Sequence, residues 1–62
     1  MSLEFLDRLA SQLKIDKSAA KRRAIERILE TVRQNYQAGK YETPTDAERA
    51  FRRLVVEQEE TA

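Results

Sequence analysis

The sequence predicts an all-α fold, in which a long central helix forms a hairpin with a first helix and a third helix packs across them. Apolar residues recur at spacings of three and four in three separate segments, which is the period of one helix face. The chain contains one glycine and one proline, and both fall at the junction between the second and third segments. At 62 residues the chain has room for one domain, residues 1–62.

The first helix is predicted over residues 3–13, with Ser2 as its N-cap. Its apolar face consists of Leu3, Leu6, Leu9, Ala10 and Leu13. Lys14 and Ile15 interrupt the pattern, and the carboxylate of Asp16 can accept hydrogen bonds from the free amides of a second helix. We therefore expect the second helix to begin at about Lys17.

The second helix is predicted to continue to Ala38, because nothing in residues 17–38 stops it, and Gly39 suits the C′ position. Its apolar stripe consists of Ile25, Ile28, Leu29, Val32 and Tyr36. In the link that follows, residues 40–44, Tyr41 is the only large apolar side chain and could fold back onto the core.

Two N-caps compete for the third helix. Thr43 can cap it with Pro44 at the first helical position, or Thr45 can form a capping box with Glu48. Its inner face is expected to be Ala47, Ala50, Phe51, Leu54 and Val55. The acidic tail at residues 57–62 places negative charge at the negative end of the helix dipole, so we expect this tail to fray.

The composition argues against an enzyme. The chain has no histidine and no cysteine, so it lacks imidazole bases, thiol nucleophiles and the usual zinc ligands. Ser11 and Ser18 have no base near them in sequence, and no glycine-rich phosphate loop is present. We therefore expect no catalytic residue, no metal and no cofactor.

No apolar run approaches the roughly 18 residues of a membrane span and the N-terminus does not resemble a secretory signal, so we expect a cytoplasmic protein without a membrane partner.

Self-association is the expected source of extra stability. A domain of about 60 residues buries only about 60% of the surface of its unfolded chain, and no disulfide or metal reinforces this one. We expect a homodimer, or a complex with a helix of another protein. The candidate interface consists of Leu6, Leu9, Leu13, Ile25, Leu29, Val32, Phe51 and Leu54. Spacing alone does not divide these residues between core and interface, and Leu29→Glu is the substitution expected to dissociate the assembly.

The net charge of +1 conceals a division along the chain. Residues 14–27 carry six basic and two acidic side chains, whereas residues 42–62 carry three basic and six acidic ones. Because Lys21 falls in the helical sector of Ile28 and Val32, the first two turns of the second helix must face solvent or an anionic partner. Candidate nucleic-acid contacts are Lys14, Lys17, Lys21, Arg22, Arg23, Arg49 and Arg53. The alternative is an ordinary solvated surface.

Two segments resemble known families. The segment from Gly39-Lys40-Tyr41 to Arg53-Leu54 resembles the Gly-Arg-Tyr turn and following helix of ParD-type ribbon-helix-helix antitoxins, which implies a dimeric DNA-binding regulator. The strand that reads DNA in that family would fall on residues 19–25, whose pattern here is helical, so that function is not carried over. The segment Phe5-Leu6-Asp7-x-Leu9-Ala10 to Lys17, Ala20 and Lys21 looks like the N-terminal hairpin of HU histone-like proteins, which implies a dimerising hairpin without DNA-gripping arms.

Two functions compete. The first is a non-enzymatic helical interaction or regulatory module that pairs with a second copy or a partner helix. The alternative is a nucleic-acid-binding regulator, antitoxin-like in character, that uses the basic start of the second helix. A third interpretation is a subunit of a larger assembly.

Overall fold

The computed structural model describes residues 3–60, which form three helices and no strand. They are α1 (Glu4–Leu13), α2 (Ala19–Gln37) and α3 (Pro44–Glu60). The predicted all-α, three-helix fold is confirmed. The predicted cap at Ser2 lies outside the described residues, and α1 begins after Leu3 without a side-chain cap. Residues 57–60 of the predicted acidic tail belong to α3, while residues 61–62 lie outside the described part of the chain.

The turn between α1 and α2 corrects the predicted start of the second helix. Asp16 does not cap α2, because its φ of 62° places it in the left-handed region, whereas an N-cap is typically extended. Ser18 has the extended geometry, with φ −66° and ψ 163°, and its Oγ accepts a hydrogen bond from the Lys21 amide at 3.3 Å. The helix therefore begins at Ala19, two residues later than predicted.

The end of α2 matches the prediction for Gly39, whose φ is 81°. The Gly39 amide donates to the Tyr36 carbonyl at 3.1 Å, and the Lys40 amide donates to the Asn35 carbonyl at 3.0 Å. This pair of hydrogen bonds is the Schellman motif, which satisfies the last free carbonyls of a helix. Tyr41 packs against the core, as predicted, and its hydroxyl accepts a hydrogen bond from Asn35 Nδ2 at 3.4 Å.

Of the two predicted caps for α3, the structure shows the one at Thr43. Its Oγ1 accepts a hydrogen bond from the Asp46 amide at 3.2 Å, and Pro44 is the first helical residue. Proline suits this position because its fixed φ is helical and the amide it lacks would have no partner there.

The core lies where α1 and α3 both pack on α2. It consists of Leu6, Leu9 and Ala10 of α1, Ile25, Leu29 and Val32 of α2, and Ala47, Phe51 and Val55 of α3. Both outer helices run opposite to α2, since Lys14 at the end of α1 meets Glu26 and Lys17 before α2 meets Glu59 near the end of α3. The first turns of α2 extend beyond this core, and residues 19–23 are exposed, as the position of Lys21 predicts.

Candidate interaction surfaces

Most of the predicted interface residues lie inside the chain's own core. Six are buried, namely Leu6, Leu9, Ile25, Leu29, Val32 and Phe51. Leu13 and Leu54 are half-buried and pack at the edge of the core. Because Leu29 is only 6% exposed, a glutamate at this position would be forced into an apolar interior. Leu29→Glu is therefore a test of folding, and a test of association needs residues at the surface.

A shallow groove runs between α2 and α3 at the surface, and we call it the α2–α3 groove. It is lined by Ala24, Arg27, Ile28 and Thr31 of α2 and by Leu54 and Gln58 of α3. Ala24, Ile28 and Leu54 are half-buried, so the folded chain covers these apolar groups only in part. The depression follows from residue size, because Ile28 stands between two smaller side chains, one turn before and one turn after it.

One charged side chain, Arg27, lines the α2–α3 groove, and three others lie within a helical turn of a lining residue. Arg27 has no carboxylate within 4 Å among the described residues. Glu30, three residues further along α2, accepts a hydrogen bond from Gln34 Nε2 at 3.2 Å. On α3, Arg53 Nε donates to Glu57 Oε1 at 3.2 Å. Each of the two helices therefore carries one positive and one negative side chain within a helical turn of a residue that lines the groove.

The opposite flank of α2 is closed by α1. Lys14 forms an ion pair with Glu26, and Asp7 Oδ1 lies 3.6 Å from Arg33 Nη1. Both pairs join α1, or its C-cap, to α2 and lie on either side of the buried Leu9 and Ala10 of α1. On this flank the charges are matched within the chain.

The predicted nucleic-acid residues separate into two groups in the structure. Lys14, Lys17, Lys21 and Arg22 come together around the start of α2, but Lys14 is paired with Glu26 and Lys17 Nζ lies 3.1 Å from Glu59 Oε1. Lys21, Arg22 and Arg23 are exposed and have no carboxylate within 4 Å among the described residues. The ion pairs thus neutralise two of the basic side chains at this end of the molecule.

The remaining candidates, Arg49 and Arg53, are exposed side chains of α3 and do not join the cluster at the start of α2. Arg53 is paired with Glu57, and the neighbouring Arg52 Nε is 3.4 Å from Glu48 Oε2. Val56, 51% exposed, lies on the outer face of α3 and does not line the α2–α3 groove. These i,i+4 pairs are typical of a solvent-facing helix surface, and such pairs contribute little individually.

The described residues contain no group of three His, Cys, Asp or Glu side chains that could hold a metal ion. Within residues 3–60, no helix is both long enough and apolar enough to cross a membrane. Every buried side-chain nitrogen and oxygen in this part of the chain has a hydrogen-bond partner.

Several residues of the α2–α3 groove were not in the predicted interface. The sequence places Ile28 in the apolar stripe of the second helix and Arg27 in the basic stretch of residues 14–27, and it assigns no role to Ala24, Thr31 or Gln58. The available signal was the position of Ile28 at one edge of the stripe, with a small side chain one turn away on each side.

The chain matches no protein-family model, and neither a curated protein nor a solved structure shows significant similarity to it. The resemblances to ParD-type antitoxins and to HU-like hairpins therefore stay predictions.

Proposed function

We propose that this chain is a small, non-enzymatic helical interaction module that pairs with a second copy of itself or with a helix of another protein. The α2–α3 groove carries the proposal, since Ile28 and Leu54 are half-buried there and are covered by no other element among residues 3–60. Apolar side chains flanked by charged ones on a concave helical surface are typical of helix docking sites.

Two further observations support a protein partner over a polyanion. The chain carries a net charge of only +1, and Glu26 and Glu59 engage two of the lysines that would contact phosphates. A protein that neutralises several phosphates needs basic side chains that are free to exchange with counterions.

Sedimentation velocity of the purified chain tests the proposal, first alone over a range of concentrations and then with a random duplex of about 20 base pairs at low and moderate salt. We expect concentration-dependent association of the chain and no change in the sedimentation of the duplex. A chain that stays monomeric and shifts the duplex in a salt-sensitive manner would contradict the interaction module and favour the second candidate.

The second candidate is a nucleic-acid-binding regulator of antitoxin-like character. The observation that favours it is the group of exposed side chains Lys21, Arg22 and Arg23, which have no carboxylate partner among the described residues and follow directly on the capped start of α2. In this case Lys21→Ala with Arg22→Ala lowers DNA affinity and reduces the slope of log affinity against log salt by about two. The matched control removes the same charge elsewhere, with Arg8→Ala and Lys40→Ala, both exposed. Equal affinities of the two variants would remove this candidate.

A further inference from the structure

We propose that the α2–α3 groove is the dimer interface of this chain and that its occupant is the same groove of a second copy, giving a four-helix core with the two α1 helices outside. This inference rests on the proposed interaction function and specifies its surface and partner. Three features of the groove support it: its apolar floor, its small side chains, and the order of charges along its two sides.

The floor of the groove suits a self-complementary contact. A two-fold axis parallel to the helices places Ile28 and Leu54 of one copy against the same residues of the other. The small side chains of Ala24 and Thr31 allow the helices to approach closely. In this arrangement each helix of the four neighbours two helices of opposite direction, as in up-and-down four-helix bundles.

The order of charges selects this orientation. Along α2 the sequence runs from Arg27 to Glu30, and along α3 it runs from Arg53 to Glu57. When α2 lies antiparallel to the second copy's α3, Arg27 meets the second copy's Glu57 and Glu30 meets the second copy's Arg53. A parallel pairing would oppose Arg27 to arginine and Glu30 to glutamate, and like charges across an interface disfavour the wrong orientation.

The register agrees with the packing within the chain. Ile28 and Leu54 line the same groove, so residue numbers of facing positions on α2 and α3 sum to about 82. The two proposed ion pairs sum to 84 and 83, which is within a single helical turn of that offset. Within the chain Glu57 is held by Arg53 at 3.2 Å, so the second copy's Arg27 would extend an existing pair into a short network.

The first experiment measures the dimer dissociation constant by sedimentation for Ile28→Glu and, separately, for Leu54→Glu. We expect each to weaken dimerisation at least about tenfold while far-UV circular dichroism stays helical, because both side chains are only half-buried in the monomer. The matched control is Val56→Glu, the same type of replacement on the outer face of α3, which should dimerise as the unmodified chain does.

The second experiment uses charge reversal, which does not depend on core packing. Arg27→Glu alone and Glu57→Arg alone should each raise the dissociation constant, and the double variant should restore it because the pair is re-formed with opposite signs. Rescue of Arg27→Glu by Glu30→Arg in place of Glu57→Arg would overturn the proposed geometry, since that result requires α2 to pair with the second copy's α2.

The outcomes separate this inference from the proposed function. Dimers that form in the unmodified chain but resist both Ile28→Glu and Leu54→Glu would overturn the groove as the interface and leave the interaction function intact. A chain that stays monomeric up to about 100 μM would overturn the second copy as occupant, together with self-association as the function.

Discussion

The two flanks of α2 differ in how completely the chain covers them. On the flank that faces α1, two ion pairs span the seam, and Leu9 and Ala10 are buried between them. On the flank where the α2–α3 groove lies open, Ile28 and Leu54 are half-buried and Arg27 has no carboxylate partner among the described residues. α1 has 10 residues against 19 in α2, so α1 and α3 together leave one concave flank of α2 only partly covered.

The largest effect is expected when a glutamate replaces a buried residue of α2 in one variant and a half-buried residue of the open flank in another. Leu29→Glu should abolish cooperative folding, because an unpaired carboxylate in the core costs several kcal/mol, a large part of the stability of a small domain. Ile28→Glu, at the adjacent position, should keep a cooperative thermal transition by far-UV circular dichroism. Equal loss of helicity in both variants would show that Ile28 belongs to the core and would remove the distinction between the flanks.

A second comparison uses truncation to alanine. Leu6→Ala should lower the free energy of unfolding by about 2–5 kcal/mol, because Leu6 is fully buried and its removal leaves a cavity. Leu54→Ala, at the edge of the groove, should lower it by about half as much, since the side chain transfers less apolar area from water. Urea denaturation at dilute protein concentration measures both. The contrast between the flanks fails if Leu54→Ala costs as much as Leu6→Ala.

The end of α2, where the chain turns toward α3, is sensitive to backbone conformation. Gly39→Ala should lower the free energy of unfolding by about 1 kcal/mol, because alanine is strained at a φ of 81°. No atom lies within 4 Å of the added Cβ, so the cost is conformational and not a clash. Gly39→Asn, measured in the same denaturation assay, should cost less, since asparagine tolerates the left-handed region. Equal costs for both variants would indicate that packing, and not φ, determines the loss of stability when Gly39 is replaced.

The smallest effect concerns the ion pairs on the flank that α1 closes. A double-mutant cycle on Lys14 and Glu26 should give a coupling of about 0.2–1 kcal/mol that falls with salt. The Asp7–Arg33 pair is longer, at 3.6 Å, and about half-exposed on both sides, so its coupling should be near the lower end of that range. A larger coupling for Asp7–Arg33 would contradict this order.

Local features of the fold could be predicted from the sequence because they depend on neighbouring residues. The apolar faces, the cap at Thr43 with Pro44, and Gly39 at the end of α2 follow from spacing and from backbone preferences. The start of α2 was predicted two residues early, because Asp16 and Ser18 are both good caps by type and only backbone geometry distinguishes them.

The candidate site was harder to predict because it depends on pairs that are remote in sequence. The sequence predicts Lys14 and Lys17 to be free basic groups. In the folded chain they pair with Glu26 and Glu59, which are 12 and 42 residues away in sequence. Likewise, spacing identified Leu29 and Ile28 as members of one apolar stripe. It did not show which of these two side chains would stay accessible once α3 had packed on α2. The division between core and interface is a property of the packed chain.

The ion pair between Lys17 and Glu59 also bears on the order in which the molecule folds. Most contacts in this chain are local to a helix or to adjacent helices, a topology that favours folding on the microsecond to millisecond scale. The two residues of this pair are separated by nearly the whole of α2 and α3, so the pair closes only after both helices have docked. An interaction that forms after the transition state slows unfolding without speeding folding. We therefore expect the Lys17–Glu59 pair to slow unfolding slightly and to leave the folding rate unchanged.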